Sequence, residues 1–163
     1  PDNMMASNDG SVVALVDYDF ATFAGKPSQM GTLIYQAPER LDDKYVATYS
    51  GDIFALGITL FELATGENPL HNGDDVQVGF NIMEFRIENY YSQLPENLEG
   101  EKCYQLRKDF KAAGYDKKKL PILAENCPLS YTIYMCLQRD PAERPRAIDL
   151  LKVWQGKPRG GIE

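Results

Sequence analysis

The sequence predicts a mainly α fold: a helical bundle around one central buried helix, with a short β-hairpin at its N-terminal end. Three observations carry that expectation. The stretch SGDIFALGITLFELATGENP, residues 50–69, is apolar on nearly every side of a helical wheel and is closed by stop signals. Downstream, apolar residues recur at helical spacing, and prolines stand where a helix can begin. Near the start, the turn signal Asn8-Asp9-Gly10 precedes the β-branched and apolar run 12–16, the pattern of a hairpin.

Taken in order, residues 3–6 are a short apolar patch that pairs with 12–16 across the Asp-Gly turn. Residues 17–30 show no sustained period and carry Gly25, Pro27 and Ser28, which makes them a loop longer than most connections in a compact domain. A short helix opens at Pro38. The central helix is placed at 50–66, with Ser50 as N-cap, Asp52 at the positive end of the helix dipole, and Gly66 and Pro69 as the stop. Thr59, Glu62 and Thr65 form its thin polar stripe. About sixteen residues at 1.5 Å each span about 24 Å, short of the ~30 Å hydrocarbon core, so no membrane span is expected.

Beyond it, Val76, Phe80, Met83, Ile87 and Tyr90 predict an amphipathic helix over 76–91. Cys103, Leu106, Phe110 and Ala113 predict a second, more exposed one over 101–113. Pro128 opens a helix through Leu137, and Pro145 opens another through Trp154. Residues 156–163 read as a tail or linker.

Composition narrows the function classes. The 163 residues are 44% apolar and 25% charged, ordinary for a single globular domain. A formal charge of -7 argues against a nucleic-acid partner, and the basic run 117–119 reads as a solvated loop. Cys103, Cys127 and Cys136 are odd in number and lack CxxC spacing, so buried free thiols in a reducing, cytoplasmic compartment are expected. The lone His71 reads as a surface residue. With Pro1 in first place and no signal-like segment, the sequence reads as a piece of something longer.

Four motifs in fixed order carry the chemistry. They are Pro1-Asp2-Asn3, then DYDFA at 17–21, then GTLIYQAPE at 31–39, then Asp52 with RDPAERPRAIDLL at 139–151. Together they resemble the C-terminal lobe of the eukaryotic protein kinase superfamily, of Ser/Thr type, entered within the catalytic loop. The resemblance covers residues 1–155, apart from a less familiar insertion at 94–122, and makes 17–39 the activation segment. It implies transfer of the ATP γ-phosphoryl group to protein Ser or Thr, with Mg²⁺ and ATP as cofactor and co-substrate. It also implies a protein substrate and the N-terminal lobe of the same kinase as partners.

Phosphoryl transfer needs a hard divalent cation with oxygen ligands to neutralise charge on the phosphates. The resemblance assigns those ligands, and with them nucleotide binding, to Asn3 and Asp17. Taken alone, Asn3 reads as a turn or cap residue and Asp17 as the end of a strand. By the same resemblance, Thr32 supports catalysis and marks Ser/Thr specificity, and Asp52 holds the catalytic-loop backbone. Glu39 and Arg144 form a buried structural ion pair, and Ser28 is a possible phosphosite whose arginine partner would lie in the catalytic loop before Pro1. The catalytic base and the phosphate-gripping elements would also lie before Pro1, so the stretch alone is expected to be inactive. Asp19 stands where the family has Gly, and Tyr18 where it has Phe. The alternative reading is therefore a pseudokinase, a scaffold or allosteric partner with a degraded metal-binding motif.

Overall fold

The chain is described from a computed structural model, over residues 2–28, 31–42, 44–71, 74–87 and 128–154. The helix expected over 101–113, the basic run 117–119, Cys103, Cys127 and the tail 156–163 lie outside the described residues.

The hairpin forms from the Asn-Asp-Gly turn. Strands β1 (Met4–Ala6) and β2 (Val13–Leu15) pair antiparallel, with Met4 opposite Leu15 and Ala6 opposite Val13. Gly10 supplies the positive φ (69°) that the turn requires. Asp9 fixes it further, its carboxylate accepting from Ser7 Oγ (2.6 Å), Ser11 N (3.0 Å) and Ser11 Oγ (2.8 Å). Those donors favour the charged carboxylate and lower its pKa to about 2.

The central helix α1 runs Tyr49–Thr65. Its N-cap is Thr48, whose hydroxyl accepts from Gly51 N at 3.2 Å, and not Ser50 as the sequence suggested. Ser50 lies inside the first turn, and its carbonyl accepts from Arg144. Thr48 has the extended backbone an N-cap requires (φ -134°, ψ 149°), which Ser50, already helical, lacks. Gly66 ends the helix in the left-handed region at φ 82°.

Two further differences concern which side of α1 meets solvent. Ile53, Phe54, Gly57, Ile58 and Phe61 are buried, yet Leu63 is 65% exposed and Tyr49 79%. The Thr59 side of the polar stripe is buried instead. Thr59 Oγ1 donates to Ala55 O (2.9 Å) and Thr65 Oγ1 to Phe61 O (2.9 Å), so these hydroxyls are satisfied within the helix and need no water.

Helix α2 spans Asp75–Glu84, capped by Asp74 accepting from Gln77 N at 3.0 Å, so it begins close to the predicted point and ends well before residue 91. Most of the predicted apolar face is also displaced: Val76, Phe80 and Met83 are exposed, whereas Val78, Ile82 and Phe85 are buried; Ile87 is buried as predicted, and Tyr90 lies outside the described residues. Both sets follow the same period, and the buried one is chosen by Phe54, whose ring meets Phe85 edge-on at 5.7 Å.

Helix α3 (Pro128–Cys136) starts at its proline and lies against α1. Helix α4 (Ala147–Trp154) starts two residues after Pro145. Gly57 is where α1 and α3 touch: a Cβ there would stand 2.7 Å from Leu137 Cδ2 and 2.8 Å from Cys136 Cβ. Burial pushes the Cys136 thiol up to about 12, an inert core group. Among the described residues the architecture is therefore helix-rich, with one two-stranded sheet. Among the described residues no helix is long and apolar enough to cross a membrane.

Candidate functional site

The hairpin register places the two residues assigned to a cation at one end of the same ribbon. Val16 N donates to Asn3 O at 2.9 Å, one step beyond the Met4–Leu15 pair, and Asp17 follows directly. Asp17 has φ 62°, the one non-glycine residue at positive φ among those described. Such backbone strain persists where surrounding structure holds it, and it concentrates at functional positions. Asp19 is not in that region, so a side chain at this position carries no left-handed strain here. Among the described residues no cluster of three His, Cys, Asp or Glu side chains gathers to hold a metal. One carboxylate and one amide oxygen fit a hard cation that takes its remaining ligands from phosphate and water.

The strand that carries Asp17 is not enclosed. Val13 and Leu15 are each 58% exposed, and Tyr18 is exposed with its hydroxyl donating to Leu15 O at 2.8 Å. The following turn, closed by Ala21 N to Tyr18 O at 2.9 Å, carries Phe20 to a cleft of about 300 Å³. Ser28, Thr32, Arg40, Tyr45 and Asp52 line the same cleft. Three of the sequence-assigned residues, Ser28, Thr32 and Asp52, thus share one cavity, although twenty positions separate Thr32 from Asp52. Asp52 comes from the first turn of α1, and Thr32 precedes the 3-10 turn Leu33–Tyr35. The cleft walls desolvate the Asp52 carboxyl and raise its pKa, while the Arg40 charge pulls it partly back.

Behind the cleft, a second 3-10 turn, Pro38–Leu41, is anchored by Glu39. Arg144 Nη1 reaches Glu39 Oε1 at 2.6 Å and Nη2 reaches Oε2 at 2.8 Å, a two-pronged pair. The same guanidinium donates to Gln138 O (2.7 Å), Ser50 O (3.0 Å) and Arg139 O (3.1 Å), and lies 4.9 Å over the Phe54 ring. Arg144 therefore joins the 3-10 turn, the start of α1 and the segment after α3 in one place.

Two groups of contacts had no counterpart in the sequence reading. Tyr35 donates to Glu62 Oε2 at 2.8 Å, and Asn68 Nδ2 donates to the same oxygen at 3.2 Å, so 31–37 is tied to the far end of α1. Burial, reinforced by Glu62, pushes the Tyr35 hydroxyl up to about 12. The signal was available in part, since Glu62 interrupts an apolar helix and an isolated acid there needs a donor. Arg40 is the other: it donates to Ser28 and lies over Tyr45, and no spacing in the sequence marks it.

Comparison with known proteins finds several protein kinases similar to this chain. A probable protein kinase of Dictyostelium discoideum is 46% identical over 98 residues, 60% of this chain and 25% of that protein. Germinal center kinase 3 of Caenorhabditis elegans is 35% identical over 124 residues, 76% of this chain and 17% of that protein. Serine/threonine-protein kinase PknE of Mycobacterium tuberculosis is 40% identical over 84 residues, 48% of this chain and 14% of that protein. The chain thus spans a quarter or less of the length of these relatives. The family model described as the protein kinase domain matches residues 1–154, nearly the whole sequence, and the chain belongs to that family.

Proposed function

We propose that these residues form the C-terminal lobe of a Ser/Thr protein kinase that transfers the γ-phosphoryl group of ATP to a protein hydroxyl. The observation that carries the reading is the continuity of the segment 17–20: it begins at the cation-side pair Asn3 and Asp17 and ends in the cleft that holds Thr32 and Asp52. Ser/Thr specificity rests on Thr32 and Tyr35 in GTLIYQAPE, and on the printed name of the mycobacterial relative.

The parts divide the work. Asp17 and Asn3 present hard oxygen donors to Mg²⁺, which when bound neutralises charge developing on the phosphates. Thr32 faces the acceptor hydroxyl and helps to shape the site for an aliphatic alcohol. Asp52 receives the backbone of the catalytic loop. Glu39 and Arg144 hold the activation segment on the helices and touch no reactant. The catalytic base, the Gly-rich phosphate loop and the paired lysine and glutamate of the resemblance are not among these 163 residues. The activity proposed is accordingly that of these residues joined to an N-terminal lobe, and the 163 residues by themselves transfer no phosphate.

The test is Mg²⁺-ATP phosphotransfer by the full-length protein to peptides bearing Ser, Thr or Tyr, with Asp17→Ala as control. Transfer to Ser or Thr that falls a hundredfold or more in the variant is expected, since losing the cation's stabilisation removes on the order of several kcal/mol from the transition state. Equal transfer by the variant would overturn the assignment. Asp19, a second carboxylate two residues from Asp17, supports the alternative of a pseudokinase scaffold. That reading gains if the full-length protein folds and binds partners but transfers nothing.

A further inference from the structure

The tip of the hairpin holds a chemically reactive pair. Asp9 precedes Gly10 in a turn whose residues 7–11 are all exposed, and Asp9-Gly10 is the single Asp-Gly pair in the sequence. In such a pair no side chain on the glycine screens its backbone nitrogen, so that nitrogen can reach the preceding carboxyl carbon and close a five-membered imide. Two conditions must be met. The Gly10 nitrogen must be free to turn toward Asp9 Cγ, and the carboxyl must be protonated so that water can leave. The folded turn denies both. Gly10 N donates to Ser7 O at 2.9 Å, which fixes the nitrogen within the turn. One carboxylate oxygen, Asp9 Oδ1, accepts from Ser7 Oγ (2.6 Å), Ser11 N (3.0 Å) and Ser11 Oγ (2.8 Å), donors that favour the charged form.

We propose that Asp9-Gly10 is a latent site of isoaspartate formation, and that Ser7 and Ser11 guard it in the folded protein. In the reaction Gly10 N forms a bond to Asp9 Cγ. The bond from Cγ to the protonated carboxyl oxygen breaks, and that hydroxyl leaves as water with the amide proton. Water then adds to the main-chain carbonyl carbon of Asp9, whose bond to Gly10 N breaks. The main chain now runs through Cγ, and the former main-chain carbonyl has become a free α-carboxylate. Addition at Cγ instead restores Asp9. No oxidant or reductant is consumed, since one water leaves and one returns.

The guard works through contacts that span the whole tip. Ser7 is tied to Val12 twice: Ser7 N donates to Val12 O at 2.9 Å, and Val12 N donates to Ser7 Oγ at 3.0 Å. The Ser7 hydroxyl therefore cannot leave Asp9 without loosening the rung that precedes β2. Opening of the tip releases the nitrogen and the carboxylate together, so the reaction proceeds from the open state and its rate reports how often the tip opens. The product does not return to the same turn. Its linkage adds one carbon to the main chain between Ser7 and Val12, where these hydrogen bonds fix the span. None of the residues assigned to phosphotransfer takes part, so this inference and the kinase reading stand or fall separately.

The experiment incubates the full-length protein at neutral pH, locates isoaspartate by peptide mapping, and measures it by methylation of the new α-carboxylate with an isoaspartyl methyltransferase. Mapping is needed because Asn72-Gly73, outside the described residues, can give the same product. In the folded parent, formation at position 9 is expected to be at least about tenfold slower than in the same protein unfolded in urea, the factor that corresponds to one pKa unit of carboxyl protonation. The double variant Ser7→Ala, Ser11→Ala should recover most of that factor while the protein stays folded, and Ser11→Thr, which keeps a hydroxyl, should match the parent. Equal rates in the folded and unfolded parent overturn the proposal, as does a folded double variant no faster than the parent. If the double variant does not fold, Ser11→Ala alone, which deletes one donor, must speed formation, and an unchanged rate there overturns it equally.

Discussion

Replacing Arg144 by Ala should be the most damaging single change among the described residues, and its cost can be built from the contacts. The Arg144 side chain is 0% exposed and Glu39 22%. Truncation removes both prongs of the pair and also strands the carbonyls of Gln138, Ser50 and Arg139, each of which accepts from the same guanidinium. Breaking a buried pair from one side costs about 3–5 kcal/mol, most of it the charge left behind. Glu39 retains some solvent, which moves its share toward the lower end. The three carbonyls, at about 1 kcal/mol or more for each one that water does not reach, move the total back up. The expected loss is therefore about 3–5 kcal/mol. Glu39→Gln should cost less, since Arg144 keeps its three carbonyls and the Phe54 ring. Urea unfolding followed by Trp154, the sole tryptophan, reads the change directly. With a slope of about 2 kcal/mol per molar, the midpoint should fall by about 2 M. An Arg144→Ala protein whose midpoint moves by less than about 0.3 M would refute the reasoning, because every term in the sum would then have to vanish.

Three further outcomes follow from other contacts. Gly57→Ala drives a methyl into Leu137 and Cys136 at under 3 Å and should destabilise by about 1–3 kcal/mol, read in the same urea assay; no change would mean that α1 and α3 are not in contact there. Tyr35 should ionise near pH 12 by absorbance titration, and Glu62→Gln should bring that value down. Because the folded value is raised, the stabilisation is complete below pH 10, the ordinary tyrosine value, and is lost as pH rises toward 12. The raised Asp52 pKa gives a contribution present below the ordinary carboxylate value and lost as pH rises through the folded one. Asp52→Asn should therefore raise the urea midpoint at pH 7 and leave it unchanged at pH 3, while Asp52→Ala lowers phosphotransfer by the full-length protein with little change in KM for ATP.

Much of the fold was legible because local chemistry decided it. Asn8-Asp9-Gly10 dictated the turn, Gly66 the end of α1, and Pro38 and Pro128 the starts of their helical segments. Where two local solutions were equal, the sequence could not choose. Thr48 and Ser50 are both good caps, and the extended backbone at Thr48 decides between them. On α2 the sets Val76–Phe80–Met83 and Val78–Ile82–Phe85 share a period, and only the position of Phe54 on another helix selects the buried one. The solvent side of α1 was misjudged because threonine hydroxyls counted as polar, although in a helix they close on the carbonyl four residues back. The site divides in the same way. Asn3, Asp17, Thr32 and Asp52 are proposed from motifs, whereas the contacts of Arg40 and Glu62 depend on segments that meet only in three dimensions.

The contact between Glu39 and Arg144 joins residues 105 positions apart. Closing so long a stretch of chain costs entropy that no other part of the pair offsets until both ends are already in place. The pair should accordingly be absent from the folding transition state and form on the native side of it. Its weight then falls on the rate of unfolding: the Arg144→Ala protein should fold about as fast as the parent and come apart much faster. What holds the 3-10 turn Pro38–Leu41 to the helices is thus also what sets how long the folded molecule lasts.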